Sequence, residues 1–424
     1  MSAPSTQGGA GDSPADWPTY HHDNARTGIA AGFGTVTRLT PAWRATLDGA
    51  VYGQPLVVGD MLLAATEHDT VYGLDPATGK VRWKSHLGTP VPRRDLPCGN
   101  INPLGITSTM AYDPATRLVF ALAETTGGRH TLYGIDIRSG AVKLRREAEP
   151  PKGDRIAHQQ RSALTVLDGR VYVSYGGLAG DCAQYIGSVV AVPTSGNGAL
   201  ISYAVPTTRE AGMWTPGGAS VYKGRLYYAV GNGESTDGAY DGSDSVIALS
   251  TDLKLVDRFA PSRWAQDNAA DLDLGSMSPA VVGTHVFIAG KRGTGYVLDA
   301  NHLGGIGGQR SEADACRGFG GASVDGDVVY VPCIDGTRAI RVDATGAQHI
   351  LWHSASRAPG PAVVGGGIWA VDYDAGILFV HDPATGDVRA RISIGKAPHF
   401  ASPTLSAGHA FVGTLSGVTA VTAR

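Results

Sequence analysis

The sequence predicts an all-β fold, an eight-bladed β-propeller of four-stranded antiparallel blades in which an N-terminal strand completes the last blade. Three observations carry this: one structural unit recurs through the chain, its first turn recurs eight times, and the unit at the C-terminus is left one strand short. The unit runs from a small residue or proline into an apolar strand, a turn, two further apolar strands, an Asp-Pro-x-Thr-Gly turn and a fourth strand. Two copies show it best. Gln54-Pro55-Leu56-Val57-Val58 leads through Val71-Tyr72-Gly73-Leu74-Asp75-Pro76-Ala77-Thr78-Gly79 to Trp83, and Gly360-Pro361-Ala362-Val363-Val364 leads through Val380-His381-Asp382-Pro383-Ala384-Thr385-Gly386.

The turn between the first two strands falls at Gly59, Thr116, Gly169, Gly224, Gly283, Gly326, Gly366 and Gly408, at intervals of 40 to 59 residues. Short hairpin turns demand positive φ, which glycine accepts without penalty. Four short antiparallel strands per unit, arranged in a ring, leave only short protected sheet edges. The eighth unit stops at Val421-Thr422-Ala423-Arg424, where the others would turn into a fourth strand, and Leu39-Thr40-Pro41-Ala42-Trp43-Arg44-Ala45-Thr46-Leu47 reads as an orphan fourth strand. The strand around Trp43 is therefore expected to pair with that around Val418 to Val421. A solenoid would need capping repeats and gains nothing from a split unit. Because a ring cannot be cut without opening an edge, residues 17–424 are expected to form one domain.

Composition agrees with many turns and a large core: of 424 residues 59 are glycine and 24 proline, with 42% hydrophobic and 17% charged. Net charge is −3 and no dense Lys/Arg block occurs, so nucleic acid is not an expected partner. No apolar run approaches the roughly 20 residues of a membrane helix. Residues 1–16 are small, polar and Gly/Pro/Ser-rich, and read as a flexible leader. That leader looks like what remains after a signal peptide or lipoprotein signal is trimmed, with Met1 supplied for expression, and places the protein in a secreted or extracytoplasmic compartment. Cys98, Cys182, Cys316 and Cys333 contain no C-x-x-C pair. Export favours two disulfides over four free thiols. Cys316 and Cys333 lie about one hairpin apart and are expected to pair, leaving Cys98 with Cys182. Closing the 17-residue step contributes about 3 kcal/mol in the chain-entropy account.

The repeat resembles the tryptophan-docking repeat of quinoproteins that bind pyrroloquinoline quinone, and of cofactor-free relatives such as the outer-membrane assembly lipoprotein. The resemblance runs from Trp17 to Arg424. A narrower likeness lies in Met213-Trp214-Thr215-Pro216, Tyr227-Tyr228-Ala229-Val230-Gly231-Asn232, Ser245-Val246-Ile247-Ala248-Leu249, Asp271-Leu272-Asp273-Leu274-Gly275-Ser276 and Gly290-Lys291-Arg292-Gly293, which resemble the quinone-site half of alcohol and glucose dehydrogenases. The resemblance implies that Trp214 stacks under the quinone, that Asn232 and Asp271 hold Ca²⁺, that Asp271 is also the base, and that Lys291 bonds the quinone oxygens. A flat tricyclic anion suits an aromatic floor, a hard cation takes oxygen ligands, and a developing oxyanion needs a fixed positive donor. Two features depart from the pattern. The adjacent cysteines usual in the dehydrogenases are missing, and their calcium-binding Glu has no counterpart in Tyr175-Gly176-Gly177-Leu178-Ala179-Gly180-Asp181-Cys182-Ala183-Gln184-Tyr185-Ile186-Gly187, where Asp181 stands one position out of register. This last segment looks closer to polymer-oxidising and uncharacterised secreted members.

Structural roles compete for each of these residues: Trp214 as a core aromatic, Asn232 as a turn residue, Asp271 and Asp273 as turn caps, and Lys291-Arg292 as a solvated pair. Asp237 to Asp244 lacks the spacing of an EF-hand and reads as a flexible polar loop. His21-His22-Asp23, adjacent on the chain and so facing opposite ways on a strand, reads with Trp17, Tyr20 and Arg26 as a structural docking segment. No hydrolase elbow, phosphate loop, zinc-protease motif or haem-attachment motif is present. Two functions follow. One is a secreted quinone- and Ca²⁺-dependent alcohol or polymer-alcohol dehydrogenase, handing electrons to an external acceptor. The other is a cofactor-free propeller binding a protein, polymer or small ligand in its axial funnel.

Overall fold

The computed structural model describes residues 16–424 apart from Ala355, so the leader, all but Asp16, lies outside the described residues. Eight antiparallel sheets follow one another along the chain. Their innermost strands, which number the blades one to eight, are Leu56–Val58, Ala111–Asp113, Thr165–Leu167, Ser220–Tyr222, Ala280–Val282, Ser323–Asp325, Val363–Val364 and Thr404–Ser406. Second and third strands, such as Met61–Ala65 and Thr70–Leu74, are buried throughout, because each blade is sandwiched between two neighbours. Fourth strands such as Val81–His86 alternate toward solvent. That is why the inner strands read as unbroken apolar runs while the rim strands do not. Two sheets gain a short extra strand, His158–Gln159 in the third blade and Gly305–Ile306, parallel to its neighbour, in the fourth.

Closure occurs as expected. Leu39–Thr46 pairs with Gly417–Ala423, with Trp43 opposite Ala420 and Ala45 opposite Val418. The expected turn glycines all have positive φ, from 58° at Gly59 to 76° at Gly408. In the second blade the left-handed residue is Arg117, at 59°, one position after the expected Thr116.

Neighbouring blades are tied by tryptophans. In the first Asp-Pro-x-Thr-Gly turn the Asp75 carboxylate accepts the N–H groups of Ala77 and Thr78 at 3.0 and 2.9 Å, and Gly79 adopts a φ of 71°. Trp43, from the closing strand of the eighth blade, donates its indole N–H to the Pro76 carbonyl at 3.0 Å and lies where a Cβ on Gly79 would stand. Trp83 docks in the same way on the second blade through Ile137, and Trp352 on the seventh through Pro383.

Residues 17–30 run along the channel and meet the inner strands of most blades. Backbone bonds join Trp17 to Val57, Pro18 to Tyr112, Asn24 to Val221, Thr27 to Val324 and Gly28 to Val364. His21 is buried, reaching the Ala322 carbonyl and the Ser402 hydroxyl, and burial lowers its pKa to about 3. The Arg26 guanidinium, 3% exposed, donates to Thr19, Tyr20, Asp23, Leu164, Thr165 and Ala219, joining the N-terminal segment to the third and fourth blades.

Both disulfides form as expected, Cys98–Cys182 and Cys316–Cys333. The first pins the connection between blades one and two, which has its own small core of Val91, Leu96, Ile101 and Leu104, to the third-blade loop carrying Leu178.

A buried acidic group lies between the first two blades. Glu67 accepts the Gly105 N–H at 2.7 Å, both Asp69 oxygens lack a hydrogen-bond partner, and Glu124 stands 3.5 Å from buried His130. Burial, reinforced by the neighbouring acids, pushes Asp69 up to about 9. Burial likewise raises Glu67 to about 7. Burial alone would lower His130, but Glu124 and Glu149 raise it to about 9.

Arg26→Ala strands buried carbonyls of two blades and should cost about 3 kcal/mol or more, read as a lower urea midpoint. An Asp69 whose folded pKa is raised holds a proton that the unfolded chain releases above about pH 4, so its contribution to stability is present at low pH and lost as pH climbs toward 9. Asp69→Asn, which mimics the protonated form, should raise Tm by a few degrees at pH 8 and flatten its decline between pH 5 and 9. An unchanged slope would show that Asp69 is not neutral in the folded protein.

Candidate active site in the axial funnel

A cavity of about 770 Å³ opens at the ring axis. Its position follows from the repeat. Tyr52, Arg161, Pro216, Ser276, Phe319 and Phe400 all line it, and each stands four residues before the innermost strand of its blade. The N-terminal segment bonds to residues within the inner strands of blades one, two, four, six and seven, and none of its residues lines the cavity.

Of the residues singled out by sequence, Trp214, Asp271, Lys291 and Asp181 line this cavity, and Asn232 lies just behind it. The Trp214 indole donates to the Gly177 carbonyl at 2.8 Å. Gly176, Gly212 and Gly231 surround its ring, and a Cβ at any of the three would strike it. Those glycines let the indole lie flat against the backbone, as the docking tryptophans do at Gly79 and Gly386, but here at the wall of the cavity.

Asn232 and Lys291 meet over two carboxylates. Asn232 Nδ2 donates to Asp271 Oδ1 at 3.0 Å, while Lys291 Nζ lies 2.6 Å from both Asp271 Oδ1 and Asp273 Oδ2. Asp273 also accepts the Asn232 backbone N–H at 2.6 Å. The carboxylates differ in setting: the Asp271 side chain is 72% exposed and that of Asp273 only 5%. Burial pushes the Asp273 pKa upward, with Lys291 opposing. Burial would lower Lys291, but Asp273 and Asp271 hold its ammonium charged. Lys291 therefore faces the funnel, and Arg292 instead pairs with buried Asp267.

The acidic loop, expected as a flexible polar loop, supplies Asp244, which is fully buried and accepts the Leu274 N–H at 2.6 Å. It thereby fixes the backbone immediately after Asp273. Asp181 accepts the Tyr185 hydroxyl at 2.6 Å, and the Tyr185 ring stands 6.1 Å from that of Trp214. Asn232 Oδ1 is buried and has no hydrogen-bond partner among the described residues. Among the described residues, no three His, Cys, Asp or Glu side chains form a group that could hold a metal ion.

Sequence reading did not single out Tyr52, Arg161 or Phe400, and weighed Asp273, with Asp271, between capping a turn and forming a site without naming it a ligand or base. Their common signal was the register of the repeat: aligning the eight units on their inner strands places three of the four at one funnel-facing position.

The sequence profile of a family described as outer membrane protein assembly factor BamB matches residues 12–236. A polyvinylalcohol dehydrogenase of Sphingopyxis sp. (strain 113P3) is 27% identical over 271 residues, covering 56% of this chain and 37% of that protein. The quinohemoprotein alcohol dehydrogenase of Comamonas testosteroni superposes with a TM-score of 0.71 at 16% identity, covering 96% of this chain and 80% of that one. A europium-containing methanol dehydrogenase gives a TM-score of 0.71 at 15% identity, covering 97% of this chain and 98% of the other. The chain thus spans little more than a third of the length of the polyvinylalcohol dehydrogenase it matches, and the structural likenesses establish the fold. Repeat, ring closure and profile together identify this chain as a member of the BamB-type family within the pyrroloquinoline-quinone-type β-propellers.

Proposed function

We propose that this chain is an exported, quinone-dependent dehydrogenase that oxidises an alcohol in the axial funnel. The observation that carries the reading is the meeting of Trp214, laid on three glycines, with Lys291 and the unequal pair Asp271 and Asp273 in one cavity. Residues serving only local turns in different blades have no reason to converge. The likeness to a polyvinylalcohol dehydrogenase supports an alcohol as substrate. Two disulfides agree with an oxidising, extracytoplasmic compartment.

The residues present fit pyrroloquinoline quinone: Trp214 supplies a flat floor and Lys291 a fixed cation for the quinone oxygens. When bound, the quinone would supply the two-electron oxidant, taking up the hydride that the alcohol carbon loses. The protein's part is to take the hydroxyl proton. Asp273 suits that role better than Asp271, because burial raises its basicity while the Asn232 N–H and Lys291 fix both its oxygens. Asp271, hydrated and exposed, orients Lys291 and Asn232. A Ca²⁺ ion would draw on Asn232 Oδ1 and the two carboxylates, in competition with the Lys291 ammonium, with Asp181 as a further candidate on the same cavity wall. Electrons would leave through an external acceptor.

Titrating the purified protein with pyrroloquinoline quinone, with and without Ca²⁺, should perturb the quinone absorbance and raise Tm. Trp214→Ala should weaken that binding roughly tenfold, as loss of one aromatic stack of about 1.4 kcal/mol would. No absorbance or thermal change under either condition would favour the cofactor-free binding module. In protein that binds quinone, Asp273→Asn should cut kcat by a factor on the order of 100 or more, and Asp271→Asn should do so much less. The reverse order would return the base to Asp271.

A further inference from the structure

Opposite the acidic wall of Asp181, Asp271 and Asp273, the funnel carries a wall of different character. Arg161 leaves the third blade and crosses to loops of the first and eighth, where its guanidinium lies 5.4 Å from the Tyr52 ring centre and 4.7 Å from that of Phe400. Its hydrogen bond goes to the His399 carbonyl at 2.8 Å. Among the described residues it has no other, and no carboxylate lies within ion-pair distance, so most of its five N–H donors are uncommitted.

The surroundings repeat this theme. Phe319 stacks on Phe400 at 6.2 Å, and Tyr373 packs on His399 at 4.5 Å. Lys396 adds a second positive charge to the lining, and the acid on this wall, Asp374, is within 4.0 Å of Arg357 and 3.8 Å of His399. A guanidinium packed against two rings is partly ordered before any ligand arrives, and its planar fork suits a bidentate oxyanion. Apolar ring faces alongside it suit the carbon face of a hydroxylated ring.

We propose that Arg161 is the carboxylate subsite of this funnel, and that the alcohol it accepts is a hydroxylated carboxylate such as a sugar acid. This rests on reading the funnel as an alcohol-oxidising site. The hydroxyl to be oxidised turns to Asp273 and Lys291 on one wall, and the carboxylate turns to Arg161 on the other. A neutral polyol leaves Arg161 without a counter-charge and so binds less well.

Calorimetry of D-glucuronate against D-glucose on the protein as purified tests the subsite without requiring turnover. Glucuronate should bind at least tenfold tighter than glucose, and Arg161→Gln should remove that preference while Arg161→Lys restores part of it. Circular dichroism and Tm of both variants separate loss of the subsite from loss of fold. With quinone, Ca²⁺ and a dye acceptor, the ratio of kcat/KM for glucuronate to that for glucose should fall by the same factor in Arg161→Gln, through KM. Equal binding of the two sugars, or a preference that Arg161→Gln leaves intact, overturns the proposal. So does an Arg161→Gln protein whose quinone titration is weakened while the sugar preference stands, since Arg161 would then serve the quinone's own carboxylates. If glucuronate binds through Arg161 but neither sugar is oxidised, the subsite stands and the dehydrogenase reading fails.

Discussion

A ring of eight blades has a hole along its axis, and the polar backbone around that hole must be satisfied by something. Here the something is residues 17–30, threaded along the inner strands, with the Arg26 guanidinium at the centre of six hydrogen bonds. A buried arginine without a close carboxylate partner is tolerable only because so many carbonyl and hydroxyl oxygens converge on it. The rest depends on that arrangement. It ties the inner strands of most blades to one segment, while the cavity is lined by residues outside that segment.

The units are unequal, and the inequality builds the site. Successive turns in the first half of the chain are 53 to 59 residues apart, against 40 to 43 in the second half. The added residues form the loops that carry Leu178 to Asp181, Trp214, and Asp271 to Ser276. The shorter units contribute the aromatic wall of Phe319, Tyr373 and Phe400. A funnel with an acidic side and an aromatic, cationic side thus comes from lengthening some repeats of a nearly symmetric ring, not from altering its framework.

Much of the fold was legible because it rests on local chemistry that repeats. Turn glycines, Asp-Pro-x-Thr-Gly and the split last unit are each visible within a few residues, and even the misplaced turn at Thr116 was off by only one position. Asn232, Asp271 and Lys291 could be picked out from motif likeness, and they do meet. Asp273 was harder, since two positions of one short loop differ only in which is turned inward, and that is decided by Asp244 from another segment. Arg161 was harder still. Within Gln159-Gln160-Arg161-Ser162 nothing local marks a funnel residue and only alignment of the repeats does, because its partners Tyr52 and Phe400 are separated from it by about a hundred residues or more and meet it only across the closed ring.

The shared eighth blade also governs the order of assembly. Leu39–Thr46 is made ahead of the first blade, but its partner Gly417–Ala423 emerges only after every other blade. Until then the chain carries an unpaired strand before its first blade and an incomplete sheet at the growing end, both open templates for pairing with other chains. Trp43 waits with them, so the junction between the eighth and first blades cannot form early either. A protein built this way keeps both open edges until its last strand is made, and loses them together in one late step.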